Sequence, residues 1–237
     1  MTPLRQRMTE DLQLHGYSLN TQLAYLGAVH QLAAYYHKSP AVLTEADLRA
    51  YFLSLTQEQH CASGTFKIAL SGIKFLFTQT LHQSWPIFEL ASAPAQKKLP
   101  VVLSRPEVRL LLGSVRAPVY RICLSTIYSC GLRISEGIGL QVGDVDGERK
   151  LLRVRGKGNK ERLVPLAEPT LETLRTFWKT HRTRPWLFPA HLQPRAWLPL
   201  ESGPIAVGNL RRAFHVARLR SGVTKMVCVH SLRYVST

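Results

Sequence analysis

The sequence has no run of apolar side chains approaching the roughly 18 positions that a bilayer-spanning helix requires, and Met1-Thr2-Pro3-Leu4-Arg5 opens no apolar stretch of the secretory kind. A soluble, cytoplasmic chain with no membrane partner is expected. Cysteine is sparse: Cys61, Cys123, Cys130 and Cys228 show neither C-x-x-C spacing nor a pairing pattern, which argues against a disulfide scaffold and predicts reduced thiols in a core. Internal repeats and low-complexity runs are absent. Asp144 and Asp146 have no complementary His or carboxylate cluster around them, so they read as turn and capping residues. No metal ion or cofactor is expected.

Acid is scarce beside base: 15 Asp and Glu stand against 31 Lys and Arg, a formal charge of +16. The excess is uneven, because residues 1–100 carry 8 basic and 6 acidic side chains whereas residues 101–237 carry 23 and 9. A polyanion is the simplest partner for such a surface, with phosphate contact concentrated in the C-terminal part. A basic solvated surface, or one that meets anionic lipid, is the blander reading of charge alone. At 45% hydrophobic the chain has enough apolar material for packed cores, which excludes a disordered basic tail.

The length of 237 residues admits one large domain or two small ones. Residues 1–82 read as four helices. Leu4, Met8 and Leu12 recur every four positions up to Gly16, and either Ser18 or Asn20 caps a second helix with a stripe from Leu23 to Tyr36. Thr44-Glu45-Ala46-Asp47 resembles a capping box ahead of Leu48, Phe52 and Leu55, and Ser63 is expected to cap a helix carrying Phe66, Leu70, Ile73 and Phe77. Residues 83–100, with Pro86, Pro94 and Pro100, have a linker's composition; Lys97 and Lys98 there are either solvated or close to phosphates. A second domain over 101–237 opens at Ser104-Arg105-Pro106-Glu107, a strong helix start. An apolar helix over 119–128 leads to Gly131. Residues 151–166 alternate like a β-hairpin whose turn is Gly156-Lys157-Gly158-Asn159, with Leu152 and Val154 on one strand and Leu163 and Val164 returning. Further helices are predicted over 170–181 and 207–219.

Two basic motifs lie about a hundred residues apart, Gly131-Leu132-Arg133-Ile134-Ser135-Glu136 and His230-Ser231-Leu232-Arg233. A phosphodiester repels a nucleophile because both are negative, so an enzyme without a metal needs fixed positive charge on the non-bridging oxygens. The planar, always-protonated guanidinium supplies it. Arg133 and Arg233 are therefore the candidate phosphate ligands. His230, three residues before Arg233 and on the same helical face, can handle the proton of an attacking hydroxyl. A lysine on a β-turn, its pKa lowered by nearby cations, can protonate a departing oxygen, and Lys157 is so placed; a solvated hairpin tip is the plainer reading of that lysine. Glu136 reads as a buried partner that orients an arginine.

Taken in order, the Arg133 motif, Leu140-Gln141-Val142-Gly143-Asp144-Val145-Asp146, the Arg155-Gly156-Lys157-Gly158-Asn159-Lys160-Glu161-Arg162 hairpin and the His230-Arg233 motif resemble the tyrosine recombinases, the phage integrase and Xer-type family. The resemblance implies a mainly α chain with a small antiparallel β-sheet in the second domain. It pairs a four-helix, SAM-like core-binding domain, marked by Thr21 and Tyr25, with an α+β catalytic domain. It implies catalytic roles for Arg133, Lys157, His230 and Arg233, with Lys160 as the neighbouring alternative to Lys157 as general acid. Lys160, Arg162, Lys97 and Lys98 are expected DNA contacts. The resemblance implies double-stranded DNA as the partner and a homo-oligomer assembled on it, and the family's nucleophile is a tyrosine beyond the second arginine. Because the sequence ends at Thr237, the expectation is a C-terminally truncated recombinase, with cyclic assembly in doubt and no nucleophile. Tyr234, adjacent to Arg233 and about 100° away around a helix, is expected to pack against the domain. A non-catalytic DNA-binding protein and the degenerate product of a disrupted gene are the alternatives.

Overall fold

The computed structural model describes residues 2–92, 101–156, 160–191 and 203–234, and the chain divides into two compact units, Met1–Lys98 and Leu99–Thr237. Among the described residues no helix is long and apolar enough to cross a membrane.

The first unit is built from α1 (Pro3–Leu14), α2 (Leu19–Tyr36), α3 (Glu45–Gln57), α4 (Ser63–Phe75) and the short α5 (Ile87–Leu90). Local chemistry sets the starts. Thr2 and Ser18 each accept a backbone N–H in the first turn that follows, and Thr44 with Asp47 completes a reciprocal capping box. Ser63 does not cap α4; Ala62 holds that position without a side-chain bond, and α4 begins one residue earlier than a serine cap requires. Met8, Leu12, Leu32, Leu48, Phe66, Ile73 and Phe77 form the core. At its C-terminal end α4 widens into a π turn, Leu76–Thr80, where the buried Thr80 hydroxyl donates to Asp11 at 2.7 Å.

Residues 83–92, expected within a tether, join this unit instead. Ile87 and Phe88 are buried, Trp85 stacks with Phe88, and the Ile87 N–H donates to Glu45 at 3.0 Å. A helix of four residues is too short to leave a periodic signature, which is why composition alone read the segment as linker. The remaining residues 93–100, Lys97 and Lys98 among them, lie outside the described residues.

The second unit contains α6 (Arg105–Gly113), α7 (Pro118–Ser129), α8 (Ile134–Ile138), strands β1 (Val145–Asp146), β2 (Leu151–Arg155) and β3 (Glu161–Pro165), then α9 (Glu168–His181), α10 (Val207–Arg220) and a 3-10 turn, Val229–Tyr234. The sheet is antiparallel in the order β1-β2-β3, with Leu152 opposite Val164 and Val154 opposite Arg162. Leu152 and Val154 are fully buried; Val164 is half-buried, while Leu163 points outward. Strand β1 was not expected, since two residues cannot display alternation. Helix α7 is central: α6, α8, α9 and the 3-10 turn all pack on it. Cys123 and Cys130 are free thiols in this core, and burial pushes the Cys123 thiol far above its ordinary pKa. Cys228 departs from the expected core location and is exposed.

In the first unit α4 crosses α2 backbone-close at Gly72. A Cβ there would stand 2.9 Å from the Tyr25 Cα and 3.2 Å from the Ala28 Cβ. Backbone cannot yield as a side-chain tip can. Gly72→Val is expected to destabilise the first unit by about 2–3 kcal/mol through overpacking, read as a lowered urea midpoint; an unchanged midpoint would contradict this crossing.

Candidate phosphodiester-binding site

The site is assembled around the turn between α7 and α8. Gly131 takes the left-handed conformation at φ 59°, which reverses the chain so that the Leu132 N–H returns to the Ile127 carbonyl at 3.0 Å. Arg133 follows as the extended N-cap of α8. Its N–H donates to Glu136 Oε2 at 2.7 Å and its Nη1 to Glu136 Oε1 at 2.8 Å. Gly137 lets α8 lie directly on α7, for a Cβ there would come within 2.4 Å of Ile127 Cγ1.

Glu136 is 5% exposed and joins two distant parts of the chain. From β3, Arg162 grips both of its oxygens, Nη1 on Oε1 at 2.9 Å and Nη2 on Oε2 at 2.8 Å. This bidentate geometry is the strong form of the interaction. Burial by itself would raise the Glu136 carboxyl, but the Arg162 fork and then the Arg133 N–H groups outweigh it and hold it at about 2. The carboxylate therefore stays charged at any physiological pH, and the fork in turn raises the pKa of Arg162. Arg162, expected as a DNA contact, has both Nη groups engaged on Glu136 and works as an anchor for the hairpin.

Gly156, the last residue before the hairpin tip, lies against the same carboxylate: a Cβ on it would stand 3.5 Å from Glu136 Oε1 and 3.8 Å from Arg162 Nη1. The tip thus departs from beside the group that holds Arg133. Lys157 lies outside the described residues. Lys160, on the returning side, is exposed, and its carbonyl accepts the Gly156 N–H at 2.8 Å. A second buried carboxylate fastens the base of the hairpin. Asp144 accepts the Gln141 N–H at 3.0 Å, as a turn residue should, and also pairs with Arg153 at 3.1 Å and Arg155 at 3.2 Å. Those two pairs were missed in the sequence, although Arg-x-Arg on one strand face was the available signal.

The second motif is carried by the 3-10 turn. Val229 and Leu232 are buried, and Ser231 caps the turn by accepting the Cys228 N–H at 3.3 Å. In a 3-10 turn residues three apart eclipse one another, so His230 and Arg233 share a face as expected. His230 is exposed and Arg233 half-buried. Tyr234 does not pack into the domain: it is 47% exposed, and its ring meets His230 edge-on with centroids 5.5 Å apart. Among the described residues no group of three or more His, Cys, Asp or Glu could hold a metal.

The order of arginine turn, hairpin and His-x-x-Arg turn can be compared with known proteins. Residues 103–237 match the profile of the Phage integrase family, and residues 4–87 match the Phage integrase N-terminal SAM-like domain. The chain belongs to the phage integrase family. It is 40% identical to y4qK of Sinorhizobium fredii, named an integrase/recombinase, over 99% of this chain and 74% of that protein. It is 33% identical to the tyrosine recombinase XerD of Proteus mirabilis over 68% of this chain and 55% of that protein. The fold is similar to that of lambda integrase in a dimer bound to a core site, at TM-score 0.73, 17% identity and coverage of 98% and 86%. It is also similar to the XerH recombinase bound to its difH substrate, at TM-score 0.62, 20% identity and coverage of 92% and 66%. Site-specific DNA recombination with DNA binding is accordingly this integrase's functional class.

The Glu136 carboxyl is held far below the ordinary glutamate value of about 4.3. Its contribution is therefore complete above that ordinary value and fades as pH falls toward 2. Glu136→Gln is expected to lower the stability of the second unit at pH 7 by about 1–3 kcal/mol, the two exposed arginines being free to turn to water. The gap to wild type should close between about pH 5 and pH 2.5 in denaturation curves followed by circular dichroism. A gap that stays constant with pH would refute the charged bridge.

Proposed function

We propose that this integrase binds duplex DNA and presents Arg133 and Arg233 to the two non-bridging oxygens of one phosphodiester, with His230 handling the proton of the attacking hydroxyl and Lys157 protonating the departing oxygen. The single observation that carries this reading is the scaffold. Both arginines leave short elements that pack on α7, and the hairpin leading to Lys157 is tied by Arg162 to the carboxylate that holds Arg133. Preset donors of this sort stabilise charge as it develops, because no reorganisation is needed at the moment of reaction.

The covalent step in the family uses a tyrosine hydroxyl. The ring of Tyr234, next to Arg233, is engaged edge-on with His230, and we assign it no nucleophilic part. A polypeptide that occupies a recombination site without cutting it is the second reading. The DNA-bound dimer of lambda integrase supports assembly of copies on DNA in either case, in the cytoplasm where the target lies.

A nicked suicide duplex separates the two readings. Strand cleavage would leave a covalent protein–DNA band in a denaturing gel that survives Tyr234→Phe; a binder yields only salt-sensitive retardation. In both cases Arg133→Ala and Arg233→Ala should each lower the slope of log affinity against log salt by about one. Where a band forms, each should also reduce its yield by about a hundred-fold or more. Full affinity and an unchanged slope in both variants would remove the phosphate clamp.

A further inference from the structure

Between α10 and the Val229–Tyr234 turn the chain is fastened through one residue. Arg218, on the last turn of α10, is 8% exposed, and among the described residues it faces no carboxylate. Its Nη1 donates to the Lys225 carbonyl at 3.4 Å and lies 3.5 Å from Met226 Sδ. A buried guanidinium needs acceptors, and this carbonyl is the oxygen that Arg218 meets among the described residues. The other end of Lys225 is fixed as well. Its Nζ donates to the Val102 carbonyl at 3.1 Å and pairs with Glu107 at 2.8 Å.

Glu107 has a second duty. The same Oε2 accepts the Ser104 N–H at 2.6 Å in the capping box that starts α6, and its carboxyl is held at about 2, chiefly by Lys225. Lys225 thereby joins the segment entering the second unit, the first turn of α6 and the end of α10. Three residues further on, Cys228 and Ser231 exchange hydrogen bonds and open the turn carrying His230 and Arg233. A 3-10 turn of six residues has little strength of its own, because its hydrogen bonds are poorly aligned. On one side it is anchored by the fully buried Leu232 and its packing on α7. On the entry side Val229 is buried as well, and Lys225 ties down the segment that leads into it.

We propose that Lys225 is a positioning residue: clamped by Arg218 at its carbonyl and by Glu107 and Val102 at its ammonium, it fixes the entry to the 3-10 turn and so the placement of His230 and Arg233. The proposal rests on the reading of Arg233 as a phosphate ligand. It also implies that displacement of residues 101–104 is felt at the His230-Arg233 turn, since Lys225 holds both.

The test uses the full chain and the variants Lys225→Met, Lys225→Arg and Arg233→Ala. Hydrogen exchange of the amides of residues 228–233 should become about ten-fold faster in Lys225→Met while α7 and α9 are unchanged, and Lys225→Arg should restore protection. Unchanged exchange at 228–233 overturns the latch. Affinity for a random-sequence duplex, measured by anisotropy at fixed salt, should fall about five-fold in Lys225→Met, and no further when Lys225→Met is added to Arg233→Ala. An equal additional loss in that background shows Lys225 acting as a direct DNA charge and overturns the positioning role. If Arg233→Ala alone leaves affinity untouched, the phosphate reading of Arg233 fails, and hydrogen exchange alone then decides the latch.

Discussion

The second unit depends on a buried carboxylate that stays ionised and accepts hydrogen bonds across the physiological pH range. Glu136 receives the Arg133 backbone and guanidinium from its own helix and the Arg162 fork from a strand 26 residues away. Desolvating one charge is costly, and two arginines that remain partly in water offset that cost without being buried themselves. The arrangement turns a flexible cationic side chain into a fixed one. It also locks the hairpin to the turn that holds Arg133.

Asp144 repeats the device at the hairpin's base. Between them the two buried carboxylates engage Arg133, Arg162, Arg153 and Arg155 and so orient arginines from within the unit. Arg116, Arg121, Arg211, Arg212 and Arg220 form no ion pair among the described residues and leave a surface suited to a polyanion. Helix α7 supplies the rigid part. It is apolar enough to be buried along one side, and the elements bearing both arginine motifs pack on it.

Much of the helical architecture was legible because its signals are local. The capping boxes at Thr44 and Ser104 and the stripes of α1 to α4 concern residues three or four apart, and the structure repeats them, except that Leu23 at the head of the α2 stripe is exposed. The hairpin followed from alternation, but its register, Leu152 opposite Val164, came from the structure. The places where the reading slipped were short or long-range. The α5 segment is a single turn, β1 is two residues, and Ser63 stands one position inside its helix. Arg162 carried no mark separating an anchor from a DNA contact, since both uses ask for an exposed arginine on a strand.

The sequence by itself determined the charge excess, the capped starts of α3 and α6 and the order of the motifs, which together place the chain in its family. Each of these is a property of composition or of near neighbours along the backbone. Only the tertiary structure decided which of the 23 basic side chains of residues 101–237 meet its 9 acids. Ion pairing has no sequence spacing: the partners of Glu136, Asp144 and Glu107 stand 3 to 118 residues away, and only packing on α7 and pairing across the sheet bring them into reach.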